Sequence, residues 1–293
     1  MMYYPVLRKH FTGRYSMEYW LAWFHETNRG AEVKTIAREA EALGYSGVAL
    51  SDHVALPRVQ QSRHPMLGIP YDPAIPNIEP MTTAATMAAV TETLHFMTYA
   101  YVMGMRDPFS VAKQTAALAD LSDNRFALGI TPGWNTDEIA LLGHNPATRG
   151  KRFVESLDVM QGLWRQDLFS YDGQCYQFRD VGIAPRPSTP PPIYIGGNSP
   201  LAIRRAAKQA GWIGMNHPIE ELKPLLNTLH ELSAGEANAY VIATEPLSDD
   251  YLSSLAALGV KGVVLMPWAV MEPASEPLEE KIRAMTELAQ YWL

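Results

Sequence analysis

The feature that most constrains the fold is a regular alternation of short apolar runs and amphipathic helical patterns along the 293-residue chain. The runs at 47–50 and 262–266 carry no polar side chain, which is typical of parallel strands buried on both faces. Strands are predicted near 17–23, 46–51, 94–102, 126–131, 192–195, 212–215, 240–243 and 261–266. Helices are predicted at 30–43, 79–91, 108–121, 149–165, 200–209, 218–232, 249–258 and 276–291. Eight strand–helix units in succession predict an α/β fold in which the parallel sheet closes into a (β/α)8 TIM barrel.

The starts of several predicted helices carry a proline signal. Glu79, Asp107, Ser199 and His217 each precede a proline, which loses no hydrogen bond at the first helical position. Asp107 and Ser199 can also cap the helix with a side-chain oxygen. These signals support the assigned boundaries between strands and helices.

Two segments are longer than ordinary connections. One insertion, residues 52–78, follows the second strand, and the other, residues 166–191, lies between helix 4 and strand 5. Within the second insertion, 168–171 and 175–178 flank Asp172-Gly173, a pair that favours the tight turn of a β-hairpin. Such insertions either decorate the surface or line a site.

Composition excludes several classes of function. The formal charge is −7, whereas binding to a nucleic-acid backbone needs clustered Lys and Arg. The single cysteine, Cys175, can form no internal disulfide, and we find no signal peptide or membrane-length apolar run. We therefore expect one cytoplasmic domain over residues 1–293, with no membrane or nucleic-acid partner.

Common catalytic motifs are missing from the sequence. We find no Gly-x-Ser-x-Gly elbow, no Gly-x-Gly-x-x-Gly fingerprint and no phosphate-binding P-loop. The eight histidines are scattered, and no predicted strand carries a metal-binding pair. We therefore expect no metal site.

Four motifs follow one another in a recognisable order. They are Gly44-Tyr-Ser-Gly-Val-Ala-Leu-Ser-Asp-His53, Met103-Gly-Met-Arg-Asp-Pro108, Leu128-Gly-Ile-Thr-Pro-Gly-Trp-Asn135 and Pro191-Pro-Ile-Tyr-Ile-Gly-Gly-Asn-Ser199. Together they resemble the luciferase-like monooxygenase superfamily over about residues 30–270, and most closely its branch that uses the deazaflavin coenzyme F420. The sequence departs from the family at Thr131 and Pro132, where relatives often have small residues. It also lacks the usual Gly-Asp before Gly211-Trp212.

The second strand ends in the strongest candidate catalytic residue. The resemblance implies that His53 reaches the cofactor ring, with Asp52 holding the loop or contacting the polar edge of the cofactor. Neighbouring residues of a strand point to opposite faces, so the two side chains have different surroundings. The alternatives are a structural histidine and an aspartate that caps a turn.

The resemblance implies further contacts at the strand ends. Gly196 and Gly197 open a turn into a helix, which suits a phosphate but also suits a simple tight turn. Arg106 can pair with an anion or with nearby acids, and Trp134 can line a pocket or serve only as a packing anchor. The expected cofactor contacts are Asp52, Ala100, Tyr101, Arg106, Thr131, Gly196, Gly197, Asn198, Ser199 and Trp212, and the expected substrate pocket contains Trp134 and Asn135.

The resemblance implies an oxidoreductase that moves a hydride between a deazaflavin and a small organic substrate. The alternatives are an FMN-dependent monooxygenase that uses oxygen and a non-catalytic flavin-binding protein. Apolar and aromatic residues in the two insertions suggest a fairly apolar substrate; they are Met66, Leu67, Tyr71, Phe169 and Tyr176. A homodimer is expected from the family.

Overall fold

The computed structural model describes residues 17–26, 29–65, 68–215, 217–243, 245, 247–268 and 277–292. Met66 and Leu67, expected near the substrate, lie outside the described residues, as does residue 276 at the start of the last predicted helix.

The described elements alternate as predicted. The strands are β1 (Glu18–Trp23), β2 (Gly47–Leu50), β3 (His95–Thr98), β4 (Tyr101–Val102), β5 (Phe126–Thr131), β6 (Phe169–Asp172), β7 (Gln177–Val181), β8 (Ile193–Gly196), β9 (Gly211–Gly214), β10 (Asn238–Ile242) and β11 (Gly262–Leu265). The α-helices are α1 (Gly30–Ala42), α2 (Pro80–Ala88), α3 (Pro108–Leu121), α4 (Thr136–Leu141), α5 (Arg149–Arg165), α6 (Pro200–Ala206), α7 (Ile219–Ser233), α8 (Asp249–Ala257) and α9 (Leu278–Trp292).

The parallel strands close into an eight-stranded barrel. β1 pairs with β2 on one side and with β11 on the other, and each of these pairings is parallel. The remaining neighbours follow in the order β2, β3, β5, β8, β9, β10 and β11, with β3 pairing directly with β5. β4 continues the third strand position along β5, so the predicted TIM barrel is confirmed.

Alternation along the strands separates two buried layers. One layer fills the barrel interior, and the other lies between the strands and the surrounding helices. Room for two large interior rings comes from glycine: a Cβ at Gly47 would lie 2.5 Å from the Trp20 ring, and one at Gly262 would lie 2.7 Å from the Tyr240 ring. The interior layer consists of Trp20, Ala22, Phe24, Ala49, Met97, Tyr99, Tyr194, Ile213, Tyr240, Ile242 and Val264.

The predicted helix caps are present at three of the four prolines. The side chains of Glu79, Asp107 and Ser199 each accept a hydrogen bond from a backbone N–H in the first turn, with proline at the start of the helix. Pro218 instead occupies the capping position itself, without a side-chain cap, and α7 begins one residue later.

The prediction needs two corrections, one in the third strand and one after the fourth. The single strand expected at 94–102 is interrupted at Tyr99 and Ala100, whose peptide bond is cis. The short helix α4 was not predicted, because six residues carry too little periodicity to be recognised.

The β-hairpin exists, but its turn differs from the prediction. Asp172 belongs to β6 and pairs with Gln177, so the connection spans residues 173–176 instead of an Asp172-Gly173 turn. The Glu155 carboxylate of α5 accepts the backbone N–H groups of residues 174–176, which satisfies the donors of this longer turn.

The hairpin packs on the outside of the barrel. Phe169 covers Gly162 of α5, where a Cβ would lie 2.4 Å from its ring. The ring of Phe109, at the start of α3, lies 6.4 Å from the ring of Tyr176. Phe169 and Tyr176 therefore stabilise the hairpin against α3 and α5 and do not line a site at the strand ends.

A buried charged cluster joins the last helix to the first strand–helix unit. Lys281 of α9 is 1% exposed, bonds the Glu26 carboxylate, and lies 2.7 Å from that of Glu32. The Trp268 indole donates a further hydrogen bond of 2.7 Å to Glu26. Burial raises the pKa of Glu26, the nearby Glu32 carboxylate acts in the same direction, and Lys281 opposes both.

None of the helices in the described part of the chain is long and apolar enough to cross a membrane.

The Lys281→Met substitution is expected to destabilise the protein strongly, because it leaves two buried carboxylates without their cation. Removing one partner of a buried ion pair costs about 3–5 kcal/mol of unfolding free energy. Urea unfolding measures this loss.

The matched control is Arg283→Met on the same helix, whose ion pairs are exposed to solvent and should contribute little to stability. Equal stabilities for the two variants would contradict the assigned role of the cluster.

Candidate functional site

The candidate site lies at the C-terminal rim, the end of the barrel where the parallel strands finish. His53 follows β2, and its Nδ1 atom is 2.7 Å from Oε2 of Glu138. The other oxygen of Glu138 accepts the backbone N–H groups of Val54 at 2.6 Å and Ala55 at 3.1 Å. Glu138 is 1% exposed, so a fully buried carboxylate both orients the imidazole and holds the loop that carries it.

The short helix α4 presents Glu138 to this loop. Asn135 caps α4, with its Oδ1 accepting the Glu138 N–H at 3.0 Å, and its Nδ2 donates to Gln60 at 2.9 Å. Asn135 is 3% exposed, and its two hydrogen bonds join α4 to the first insertion. This buried position differs from the pocket position that was predicted for it. In a capping box the third residue reaches back to the cap, whereas Glu138 reaches across to the β2 loop.

Asp52 and Arg106 form an ion pair next to His53. One Asp52 oxygen lies 2.7 Å from the Arg106 guanidinium, and the other accepts the Val102 N–H at 2.7 Å. The guanidinium also lies 3.7 Å from the centre of the Tyr101 ring. Burial raises the pKa of Asp52, while Arg106 and the Val102 N–H act in the opposite direction. These predicted cofactor contacts are thus engaged with one another, and they hold the end of the third strand to β2.

Three histidines gather around one tyrosine from the first insertion. The Tyr71 ring stacks on His53 at 4.8 Å and on His64 at 5.8 Å, and its hydroxyl bonds Nδ1 of His25. The Trp134 ring meets His53 edge-on at 5.8 Å and His64 at 5.3 Å. Trp134 therefore lies beside His53, and its place in a substrate pocket stays a prediction.

Burial favours the neutral form of two histidines in this cluster. It lowers the pKa of His25 to about 4, and the charges of His53 and His64 act in the same direction. Burial also lowers the pKa of His64. Within the described ranges, no group of three His, Cys, Asp or Glu side chains is arranged to hold a metal ion.

The glycine turn after β8 has the expected position at the rim. Gly197 has a φ of +111°, which favours glycine, and Ser199 caps α6 while remaining exposed with Asn198. Trp212 is completely buried in the layer between strands and helices and donates its indole N–H to the Gly197 carbonyl at 2.8 Å. Its side chain supports the turn from behind instead of facing a ligand, contrary to the contact predicted for it.

Gly196, the last residue of β8, is buried. A Cβ built there would meet Ala100, Ile130 and Ile213 at ordinary contact distances of 3.5–3.6 Å. The predicted contacts Ala100 and Gly196 thus lie together. Thr131 ends β5 at the same rim, where its hydroxyl accepts the Gly133 N–H at 3.4 Å.

The sequence motifs singled out His53 and Trp134 but not the residues that contact them in the structure. Glu138 carried a weak signal, since an acidic residue three places after Asn135 suggests a helix start. Nothing in the sequence links His25, His64 and Tyr71 to one another, because they come from separate segments and meet only in the folded chain.

The neutral state of His25 should make stability depend on pH. Its folded-state pKa of about 4 lies below the ordinary histidine value of 6.5, so the unfolded chain binds more protons between these values. The stabilising contribution is therefore complete above pH 6.5 and is lost as pH falls towards 4. As pH falls from about 7 to 5, the unfolding free energy of the His25→Asn variant should decrease less than that of the wild-type protein.

Urea unfolding at several pH values measures both slopes, and His144→Asn, outside the cluster, should leave the slope unchanged. Identical slopes for the unchanged protein and His25→Asn would contradict this assignment.

Comparison with known proteins gives the family and the fold. The sequence model of the luciferase-like monooxygenase family matches residues 11–245. An uncharacterized protein of Mycobacterium tuberculosis is 33% identical over 272 residues, covering 87% of this chain and 92% of that protein.

Two solved structures share the barrel. An F420-dependent secondary alcohol dehydrogenase in complex with an F420–acetone adduct has a TM-score of 0.73 at 14% identity, covering 94% of this chain and 98% of that one. A type II Baeyer–Villiger monooxygenase from Pseudomonas putida, in complex with FMN, has a TM-score of 0.61 at 20% identity, covering 78% of this chain and 67% of that one. The extent of the family match and the 33% identical relative show that the chain belongs to the luciferase-like monooxygenase family.

Proposed function

We propose that this protein is a deazaflavin-dependent oxidoreductase that transfers a hydride between coenzyme F420 and a small, uncharged organic alcohol or carbonyl compound. The observation that carries the proposal is the pair formed by His53 and the buried Glu138 at the C-terminal rim. Oxidation of an alcohol releases a proton as well as a hydride, so the site needs a base with one fixed, accessible nitrogen.

The rim has features that fit a flat, polar-edged cofactor. Gly196 and Ala100 lie together at the rim and carry little side-chain bulk, which favours a flat ring close to the backbone. Ser51, at the end of β2, has a buried hydroxyl without a hydrogen-bond partner in the described part of the chain. The exposed turn at Gly197, Asn198 and Ser199 would hold the phosphate-bearing tail. When bound, the cofactor supplies the hydride transfer itself.

The residues of this chain perform the proton step. The Glu138 carboxylate can only accept, so His53 carries its hydrogen on Nδ1 and leaves Nε2 as the acceptor. In the oxidising direction Nε2 takes the proton from the substrate hydroxyl, and Glu138 stabilises the imidazolium that results. In the reducing direction the same nitrogen returns the proton to the carbonyl oxygen.

The surroundings of His53 favour an uncharged substrate. The rings of Tyr71, His64 and Trp134 enclose the imidazole, and burial keeps His25 and His64 neutral at physiological pH. Apart from the Glu138 carboxylate that binds Nδ1, the charged groups next to His53 are Asp52 and Arg106, and these are paired with each other. Apolar walls of this kind exclude water and bind apolar parts of a substrate.

The relatives support both the main proposal and its alternative. The F420-dependent secondary alcohol dehydrogenase uses the proposed cofactor, whereas the type II Baeyer–Villiger monooxygenase binds FMN. The alternative function is therefore an FMN-dependent monooxygenase on the same barrel.

Titration of the purified protein with coenzyme F420 and, separately, with FMN is the first test. Selective binding of F420, followed by fluorescence, is expected with a dissociation constant in the range of about 1 μM or below. Turnover with uncharged secondary alcohols should then consume no oxygen.

Selective FMN binding with oxygen consumption would instead support the monooxygenase. Tight binding without turnover of any donor or acceptor would support a non-catalytic flavin-binding protein, and binding of neither cofactor would overturn the cofactor assignment.

The His53→Asn variant should bind cofactor normally but lose turnover. Asparagine retains a donor for Glu138 and removes the base, and loss of general base catalysis lowers kcat by about 10²–10⁴-fold. Steady-state kinetics and cofactor titration measure the two properties separately.

The matched control is His95→Asn, since His95 begins β3 at the opposite end of the barrel and should leave kcat unchanged. Full turnover by His53→Asn would remove His53 from the mechanism.

A further inference from the structure

Tyr71 belongs to the insertion after β2, yet it lies at the centre of the site. It is 2% exposed, and its ring stacks on His53 with the centroids 4.8 Å apart and the planes 29° apart. Its carbonyl accepts the Gln60 side-chain N–H at 2.6 Å, and Gln60 is bound in turn by Asn135. The backbone of Tyr71 is thus linked, through Gln60 and Asn135, to the start of the helix that carries Glu138.

The hydroxyl of Tyr71 makes a second attachment on the opposite side. It bonds Nδ1 of His25, directly after β1, and also interacts with the side chain of Asn77. Tyr71 therefore connects the ends of β1 and β2 through the insertion. A mobile residue would have few such attachments, whereas those of Tyr71 hold it as a fixed part of the site wall.

His53 is consequently restrained in two independent ways. Glu138 fixes the direction of its Nδ1 atom, but a single hydrogen bond leaves the imidazole free to tilt about that bond. The face of the Tyr71 ring restrains the plane of the His53 imidazole. The Trp134 ring lies at 80° to the imidazole plane and packs against another side of it. Small errors in the placement of a base lower the rate steeply, so the second restraint matters for proton transfer.

We propose that Tyr71 is a positioning residue for His53: its ring sets the plane of the imidazole, and its hydroxyl bond to His25 holds the tyrosine in place. The inference rests on the proposed function, since the plane of His53 affects the rate only if its Nε2 exchanges a proton with the substrate.

Two variants separate the ring from the hydroxyl. Tyr71→Leu removes the stacked face, and Tyr71→Phe keeps the face but loses the bond to His25. Histidine-labelled protein without cofactor should show the His53 Hε1 resonance displaced by the tyrosine ring current, retained in Tyr71→Phe and lost in Tyr71→Leu. This measurement does not require activity.

The kinetic effects should follow the same order. With the cofactor bound, Tyr71→Phe should lower kcat about tenfold and Tyr71→Leu about 100-fold, while KM and cofactor affinity change less than about threefold. Tyr176→Phe and Tyr176→Leu, on the outer hairpin, are the matched controls and should leave kcat and the His53 resonance unchanged.

Each outcome decides the proposal. An unchanged kcat in Tyr71→Phe would overturn the role of the hydroxyl bond even if Tyr71→Leu failed to fold. If Tyr71→Leu left the His53 resonance at its wild-type position, the role of the ring would be overturned. The same would follow if the resonance moved but kcat stayed at the wild-type value. Failure of the proposed function has a different signature, because His53→Asn would then retain full turnover.

Discussion

The buried carboxylate of Glu138 is the constraint around which the rim is organised. A charge with almost no exposure must be satisfied by donors from the protein. Its donors are the His53 imidazole and the N–H groups of Val54 and Ala55, which belong to a segment more than eighty residues away in sequence. The short helix α4 carries this carboxylate. Asn135 caps the start of that helix and also donates a hydrogen bond to Gln60 of the insertion. The β2 and β5 ends are therefore one mechanical unit.

The barrel was predictable because each unit carries its own local signals. The apolar run of β11 and the capped proline starts of α3 and α6 depend on neighbours within a few residues. The break at Tyr99 leaves no signal in the apolar pattern of the strand, because the Tyr99 hydroxyl bonds the carbonyls of Gly214 and Tyr240 on the far side of the barrel. The hairpin turn also differed from expectation because Glu155, on another element, supplies its acceptors. Local patterns thus predict the elements, and tertiary contacts decide where they break and turn.

The candidate site follows the same division. His53 was found because it ends a recognisable strand, and Trp134 because it belongs to a recognisable loop. Tyr71 was noted only as one of the apolar and aromatic residues in the insertions that suggest an apolar substrate, since no pattern connects it with His25. Trp212 was assigned to the cofactor from its motif, but that motif cannot distinguish the two faces of β9, and its ring packs against the helices. Side chains that act through other side chains leave little trace in the order of residues.

The buried cluster around Lys281 has a consequence for synthesis of the chain. Glu26 and Lys281 are 255 positions apart, so the two carboxylates leave the ribosome long before the lysine that neutralises them. Until α9 emerges, the first strand–helix unit can bury its carboxylates only by protonating them or leave them in water. The buried ion cluster that joins α9 to the first strand–helix unit can therefore form only after α9 has been synthesised.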